Sequence, residues 1–373
     1  ALAGRSLSGG LELTADGQIF PLTGGFDLVF DGTGTDLRID DAAADALLAG
    51  RVDLSGRLAR TEAGISADDF LIANNQVQFS ADGVYASDAA DFNIALDLAD
   101  LALISEEASG AMAVRGSARL TAPEEPLVLM LDGQVPSGTL GDYTLRDAKL
   151  GVAATLLEGA INGDVTGAAM LDGHRATLDT HFETDAELQA LTDIAFEIAG
   201  TRISGDLTRM VESGLVDGRL DVAANDVSLA AALLLTDASG AVNAAIELTP
   251  QDGEQGAGVT ANVAGLRIND ISVGRADITA GISDLFGVPV VNGTATAGNV
   301  VAGGVVVDAL SARARQSGDT TSFDAQASLA TGTDLDLAGA LSPVDGGYRL
   351  ALDARHRGHS GSDLYSDDYP CSA

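Results

Sequence analysis

Gly218-Arg219-Leu220-Asp221-Val222-Ala223-Ala224-Asn225-Asp226 decides the fold. Leu220 and Val222 stand two residues apart, with charged residues beside each, so an extended segment puts the apolar side chains on one face and the charges on the other. Gly218 before it and Asn225-Asp226 after it are turn-forming residues that punctuate the strand. Leu96-Asp97-Leu98 and Leu335-Asp336-Leu337 repeat the figure. About two dozen such stretches lie between Leu11 and Leu352, at intervals of about 15 residues. They include Phe92–Leu98, Ala111–Leu120, Leu127–Val135, Ala160–Leu171, Gly214–Ala223 and Asp334–Leu341. The pattern predicts an all-β chain: an elongated, repetitive β-sheet with very little helix.

Helix is expected in two short places. Asp41–Leu48 has Asp40 or Asp41 as N-cap and Gly50 just past its end; Asp185–Asp193 has Leu188 and Leu191 at helical spacing. Residues 1–354 read as one repetitive body without a clear internal boundary, since only 8 Pro occur and no Pro-rich or Ser-rich linker interrupts it. Residues 355–373 lose the alternation and hold His356, His359, Pro370 and the single Cys371, so a disordered tail is expected there.

Hydrophobic residues make up 46% of the chain but aromatics only 4%, with no Trp, which points to a thin core of Ala, Leu and Val. The 20 Lys and Arg against 55 Asp and Glu leave a net charge of −35, which excludes nucleic acid as a partner and disfavours an acidic lipid surface. Only 13 of those acids are Glu, and the excess of Asp suits turns and solvated strand faces. One Cys forms no internal disulfide, and no apolar run reaches the length of a membrane-spanning helix. The chain opens on Ala1 without a signal peptide, and an internal piece of a longer protein is expected.

Catalytic and cofactor motifs are absent from the sequence. The one Lys, Lys149, follows Ala148 and forms no phosphate loop, and neither HExxH nor GxSxG occurs. His174 and His181, near Asp172 and Asp179, are seven apart and fall on opposite faces of a strand. Asp31-Gly32-Thr33-Gly34-Thr35-Asp36 resembles half of a calcium-binding nonapeptide, but it occurs once where a calcium roll repeats it. The reading is a chain without enzymatic activity, without a cofactor and without a metal site.

The face carrying Leu, Ile, Val and Ala must be covered, either by closure of the sheet or by something apolar lying in a trough. Leu96, Leu98, Leu220, Val222, Leu335 and Leu337 are the candidate lining residues.

Gly50-Arg51-Val52-Asp53-Leu54-Ser55-Gly56, Gly205-Asp206-Leu207, the stretch from Gly218 to Leu229, and Leu266-Arg267-Ile268-Asn269-Asp270-Ile271 share a Gly-x-Leu-x-Leu/Val style. In that style the chain resembles the periplasmic body of the TamB family of AsmA-like proteins, inner-membrane components of the translocation and assembly module. The resemblance covers most of Leu11–Ala354. It implies a twisted, taco-like sheet in the periplasm whose apolar groove takes phospholipid acyl chains between the two membranes. It also implies a role in outer-membrane protein assembly and autotransporter secretion with a TamA-like barrel partner. The family's N-terminal membrane anchor and its C-terminal partner-binding segment have no counterpart here, as expected of a central piece. The alternative is a surface or secreted β-solenoid adhesin, which works through its exposed surface; a closed core with Asn or Thr ladders would mark it.

Overall fold

The computed structural model describes residues 8–357 apart from 40, 63, 87–88, 106, 123, 234–235, 287–289, 319 and 345–346. Strand accounts for 78% and helix for 3%, far from the mixture of an ordinary globular domain, so the all-β expectation holds. The chain divides into two compact units between Ala186 and Glu187.

The first unit contains β1 (Ser8–Phe20), β2 (Gly25–Arg38), β3 (Arg51–Arg60), β4 (Gly64–Ala73), β5 (Val77–Ala86) and β6 (Ala90–Leu98). It continues with the two-residue β7 (Ala108–Ser109), β8 (Met112–Leu120), β9 (Leu127–Leu140), β10 (Tyr143–Leu157), β11 (Ala160–Leu171) and β12 (His174–Thr184). The second contains β13 (Leu188–Ile198), β14 (Thr201–Met210), β15 (Val216–Ala224), β16 (Ala238–Gln251), β17 (Glu254–Ile268) and β18 (Ile271–Ser283). It ends with β19 (Val290–Ala302), β20 (Val305–Ser317), β21 (Thr320–Leu329), β22 (Asp334–Val344) and β23 (Gly347–Arg357).

Within each unit, sequence neighbours pair antiparallel, as in β2 with β3 and β17 with β18; β6 skips the short β7 to pair with β8. Short turns make this possible, because antiparallel neighbours need only a tight connection. Neither unit closes on itself among the described residues: β1 pairs with β2 alone and β23 with β22 alone.

Three helical segments interrupt the ladders, and each is held the same way. α1 (Ala42–Leu47) has Asp41 as N-cap, its side chain accepting from the Ala44 N–H at 3.1 Å, as the sequence predicts. A 3₁₀ turn spans Leu101–Leu103, and α2 spans Ser228–Leu233. In each case an Asp at the end of the preceding strand accepts the N–H of a Gly that opens the next. The pairs are Asp36 with Gly50 at 3.0 Å, Asp100 with Gly110 at 2.8 Å and Asp226 with Gly240 at 3.2 Å. Asp100 also accepts from the Ala102 N–H and Asp226 from the Ser228 N–H, and these backbone donors hold both carboxyls below the ordinary carboxylate range.

Two sequence expectations change. Asp185–Asp193 is not helical: Leu188–Ile198 is β13, paired with β14 and bulged between Leu191 and Ile194. The bulge places Asp193 at φ +53, and its N–H donates to Asp206 Oδ1 at 2.8 Å. Leu188 and Leu191 pair in regular register with Met210 and Leu207 and so lie on opposite faces of the strand, the bulge coming after them; the β14 ladder supplies backbone partners that a short isolated helix would lack. The strand β23 also runs through Arg357, past the expected start of the tail, while residues 358–373 lie outside the described residues.

Glycine is required where strands approach closely on a strained backbone. Gly83 sits at φ +130, and a Cβ there would meet the Asp91 carbonyl oxygen at 2.0 Å. Gly83→Ala is therefore expected to cost about 1–3 kcal/mol from backbone conformation alone. In a ladder of neighbour-only contacts the loss should be local. Amide hydrogen exchange should show faster opening of β5 and β6 with little change in β9 to β11; unchanged protection in β5 and β6 would contradict this placement.

Candidate functional site: an apolar inner face

Register turns the alternation into rows that cross each sheet. In the first unit one row runs Leu13, Gly32, Leu54, Ile72, Phe79, Leu96, Val114, Gly133, Leu150, Gly167, Leu178. Every position is apolar or Gly. In the second unit a row runs Ile203, Val222, Ala244, Ala261, Ile278, Ala295, Ala312, Ala325, Leu337, Ala354. The opposite faces are polar. Arg57 donates to both carboxylate oxygens of Asp27 at 2.7 Å, Arg115 reaches Asp97 at 2.8 Å, and Arg219 reaches Asp221 at 2.7 Å. These pairs are exposed, so they orient side chains more than they stabilise the sheet.

The inner faces are concave, because side chains on them reach past one strand to the next. Phe30 of β2 meets Phe70 of β4 edge-on at 5.9 Å between ring centroids, across β3, where Gly56 stands opposite Phe30. Phe70 then meets Phe79 at 6.1 Å. In the second unit the buried Gln255 of β17 bridges to β15: its Oε1 accepts from the Val216 N–H at 2.7 Å, and its Nε2 donates to the Val216 carbonyl at 2.8 Å. The Thr321 hydroxyl of β21 accepts from the Val291 N–H of β19 at 3.0 Å.

No second layer covers these faces among the described residues: the substantial strand contacts are between ladder neighbours. Inner-row side chains stay partly wet, with Leu131 at 39%, Leu150 at 47% and Leu352 at 50% exposure. The face is an open trough, not a dry closed core. One hollow of it lies in the first unit, a cavity of about 430 Å³ lined by Phe92, Ile94, Leu129, Leu131, Val152 and Phe182, with Gly116 and Ala118 also in the lining. Ile94, Gly116, Leu131 and Val152 are successive members of one row, and Phe92, Ala118, Leu129 and Ala154 of the next. That volume lies in the range of small-molecule sites, and the lining holds no ionisable group. A larger recess of about 690 Å³ beside α1 is lined by Arg51, Asp53, Asn74, Asn75 and Gln76; it is polar and lies at strand ends off the apolar rows.

All six residues singled out from the sequence lie in inner rows. Leu98 is buried, and Leu96, Leu220, Val222, Leu335 and Leu337 are half-buried. Val222 and Leu337 share a row although 115 residues separate them in the chain (337 against 222). The hollow of the trough was not among them. Leu127–Val135 and Phe92–Leu98 are recognisable strands, but only register brings Leu131 beside Gly116 and Ile94.

His174 and His181 share the regular strand β12 on opposite faces, so they form no joint site. His181 lies on the polar face, its Nδ1–H donating to Asp164 Oδ1 at 2.9 Å and its Nε2 lying 3.6 Å from Glu183. Asp31–Asp36, the calcium-like stretch, lies inside β2. Among the described residues no helix is long and apolar enough to cross a membrane, and no three His, Cys, Asp or Glu side chains gather as a metal group.

No family model, no curated protein and no solved structure matches the chain.

The hydrogen bond to Asp164 holds the His181 pKa above the ordinary imidazole value of 6.5, with the charges of Asp164 and Glu183 acting the same way. A raised folded-state value means that this contribution to stability is complete below pH 6.5 and fades as pH rises through the shifted midpoint. Titration by NMR should place the His181 midpoint above 6.5, and Asp164→Asn should lower it. A midpoint at or below 6.5 would contradict the pairing.

Proposed function

We propose that the chain is a non-enzymatic scaffold of the TamB type, whose inner face takes the acyl chains of phospholipids in transit between inner and outer membrane. The observation that carries this reading is the predominantly apolar inner face of each unit, left open by its own fold, which in the first unit includes a cavity bounded by Phe92, Leu131 and Phe182. Each methylene buried in such a trough contributes about 0.8 kcal/mol, so roughly ten half-covered methylenes supply about 4 kcal/mol without any catalytic group. Weak, repeated binding suits movement along a track better than one tight site. The acidic polar face keeps the protein in solution while the apolar face stays available. Under this reading the working place is the periplasm, with an inner-membrane anchor and a TamA-like outer-membrane barrel reached through segments outside this sequence, and outer-membrane protein assembly as a linked role.

One feature favours the second reading, a surface-binding adhesin. Thr260, Thr279 and Thr294 form a cross-strand, solvent-facing row in the second unit. The row is short, and the partly exposed inner face beneath it is not the closed core that a solenoid adhesin needs.

The chain purified from a Gram-negative periplasm is expected to carry phospholipid in native mass spectrometry with lipid extraction. Leu131→Asp with Val152→Asp, and separately Leu220→Asp with Val222→Asp, should reduce the bound lipid several-fold while far-UV circular dichroism keeps its β signal. A folded wild-type chain without lipid would sink the conduit reading and promote the adhesin.

A further inference from the structure

The open trough of the first unit also carries information about the headgroup. We propose that this site takes amphiphiles whose headgroup bears an ammonium in preference to anionic ones; the inference rests on the acyl-chain reading above. The trough lies at one end of the strands. Phe92 is near the start of β6, Leu129 near the start of β9, Ile161 near the start of β11 and Phe182 near the end of β12. A hydrocarbon chain seated there leaves its polar end at the turns that close this end of the sheet. Those turns are residues 121–126 between β8 and β9, Glu158-Gly159 between β10 and β11, and the segment that leaves β12.

They present Glu124, Glu125, Glu158 and Asp185, all exposed, and contain neither Lys nor Arg. The Glu125 carboxylate accepts a hydrogen bond from the Thr121 hydroxyl, which fixes one of these charges on its turn. The nearest arginine in sequence, Arg119, is on the polar face and pairs with Asp91 at 3.4 Å. Among the described residues these turns therefore offer no Lys or Arg to a phosphate or carboxylate headgroup, whereas an ethanolamine or choline ammonium meets their carboxylates. The trough supplies affinity through the chain, and the mouth supplies discrimination through charge.

Four charges at a distance on the order of 10 Å through water give a preference of roughly tenfold at 10 mM ionic strength and about twofold at 0.15 M. The test uses the full chain with mixed vesicles of phosphatidylcholine and phosphatidylglycerol, equimolar and with identical acyl chains. The protein is re-isolated and its bound lipid counted by native mass spectrometry at both salt concentrations. Phosphatidylcholine should exceed phosphatidylglycerol by roughly tenfold at low salt, and the ratio should shrink as salt is added. A Glu124→Gln, Glu125→Gln, Glu158→Gln variant, altered only in exposed turns, should bring the low-salt ratio towards one without losing lipid. Leu131→Asp should instead lose both lipids together. Equal uptake, or a preference for phosphatidylglycerol, overturns the headgroup inference and leaves the acyl-chain reading standing. No uptake of either lipid overturns both.

Discussion

Antiparallel pairing of each strand with its neighbour in sequence is the constraint from which the rest follows. It fixes register, and register decides which face each side chain occupies. A slip of one residue in β15 would turn Leu220 and Val222 outward and bring Arg219 and Asp221 onto the inner rows, leaving two charges in an apolar environment. Arg219 and Asp221 are thus as informative about the fold as the apolar residues beside them, because they define the arrangement the strand avoids. Bulges at Asp69 and Asp193 shift the pleat without breaking this rule. In each, the N–H of the Asp at positive φ donates to a carboxylate on the neighbouring strand, Asp82 or Asp206.

A sheet built this way has one apolar face and nothing in its own contacts to cover it. Curvature removes part of the cost: Phe30 crosses β3 to reach Phe70, and Gln255 crosses β16 to reach Val216. Such contacts bury inner side chains against one another, but half-exposed Leu131 and Leu150 show the limit of that solution. Large exposed apolar surfaces on a soluble protein mark places where something else binds. The functional proposal therefore follows from an imbalance in the fold and from no special constellation of residues.

The strands and their inner faces were legible in the sequence because alternation needs only local information. Leu96, Leu98, Leu220, Val222, Leu335 and Leu337 reach inner rows through their period alone. The helix after Asp41 was legible for the same reason, since its cap is local. The hollow was not, because it depends on Gly116 of β8 standing between Ile94 of β6 and Leu131 of β9, a matter of pairing across connections. Helix α2 was hidden in an apolar run that fits a strand equally well. Its signal was the preceding Asp226 with Gly240 beyond it, at the spacing that separates Asp36 from Gly50. Leu188 and Leu191 misled because two leucines three apart match a helical turn, whereas in β13 they lie on opposite faces and Leu191 is exposed.

The rows of the two inner faces differ in composition. Along the Val222 row six of the ten positions are Ala, so neighbouring strands present short side chains and the surface between them is shallow. In the first unit Gly116 stands between Ile94 and Leu131, and Gly133 between Val114 and Leu150, and large side chains beside missing ones create relief. Gly116 has Ile94 and Leu131 leaning over it closely enough that a Cβ would lie 2.8 Å from Ile94 Cγ1. Relief of this kind gives a hydrocarbon chain contacts on several sides, whereas a shallow Ala surface contacts it on one.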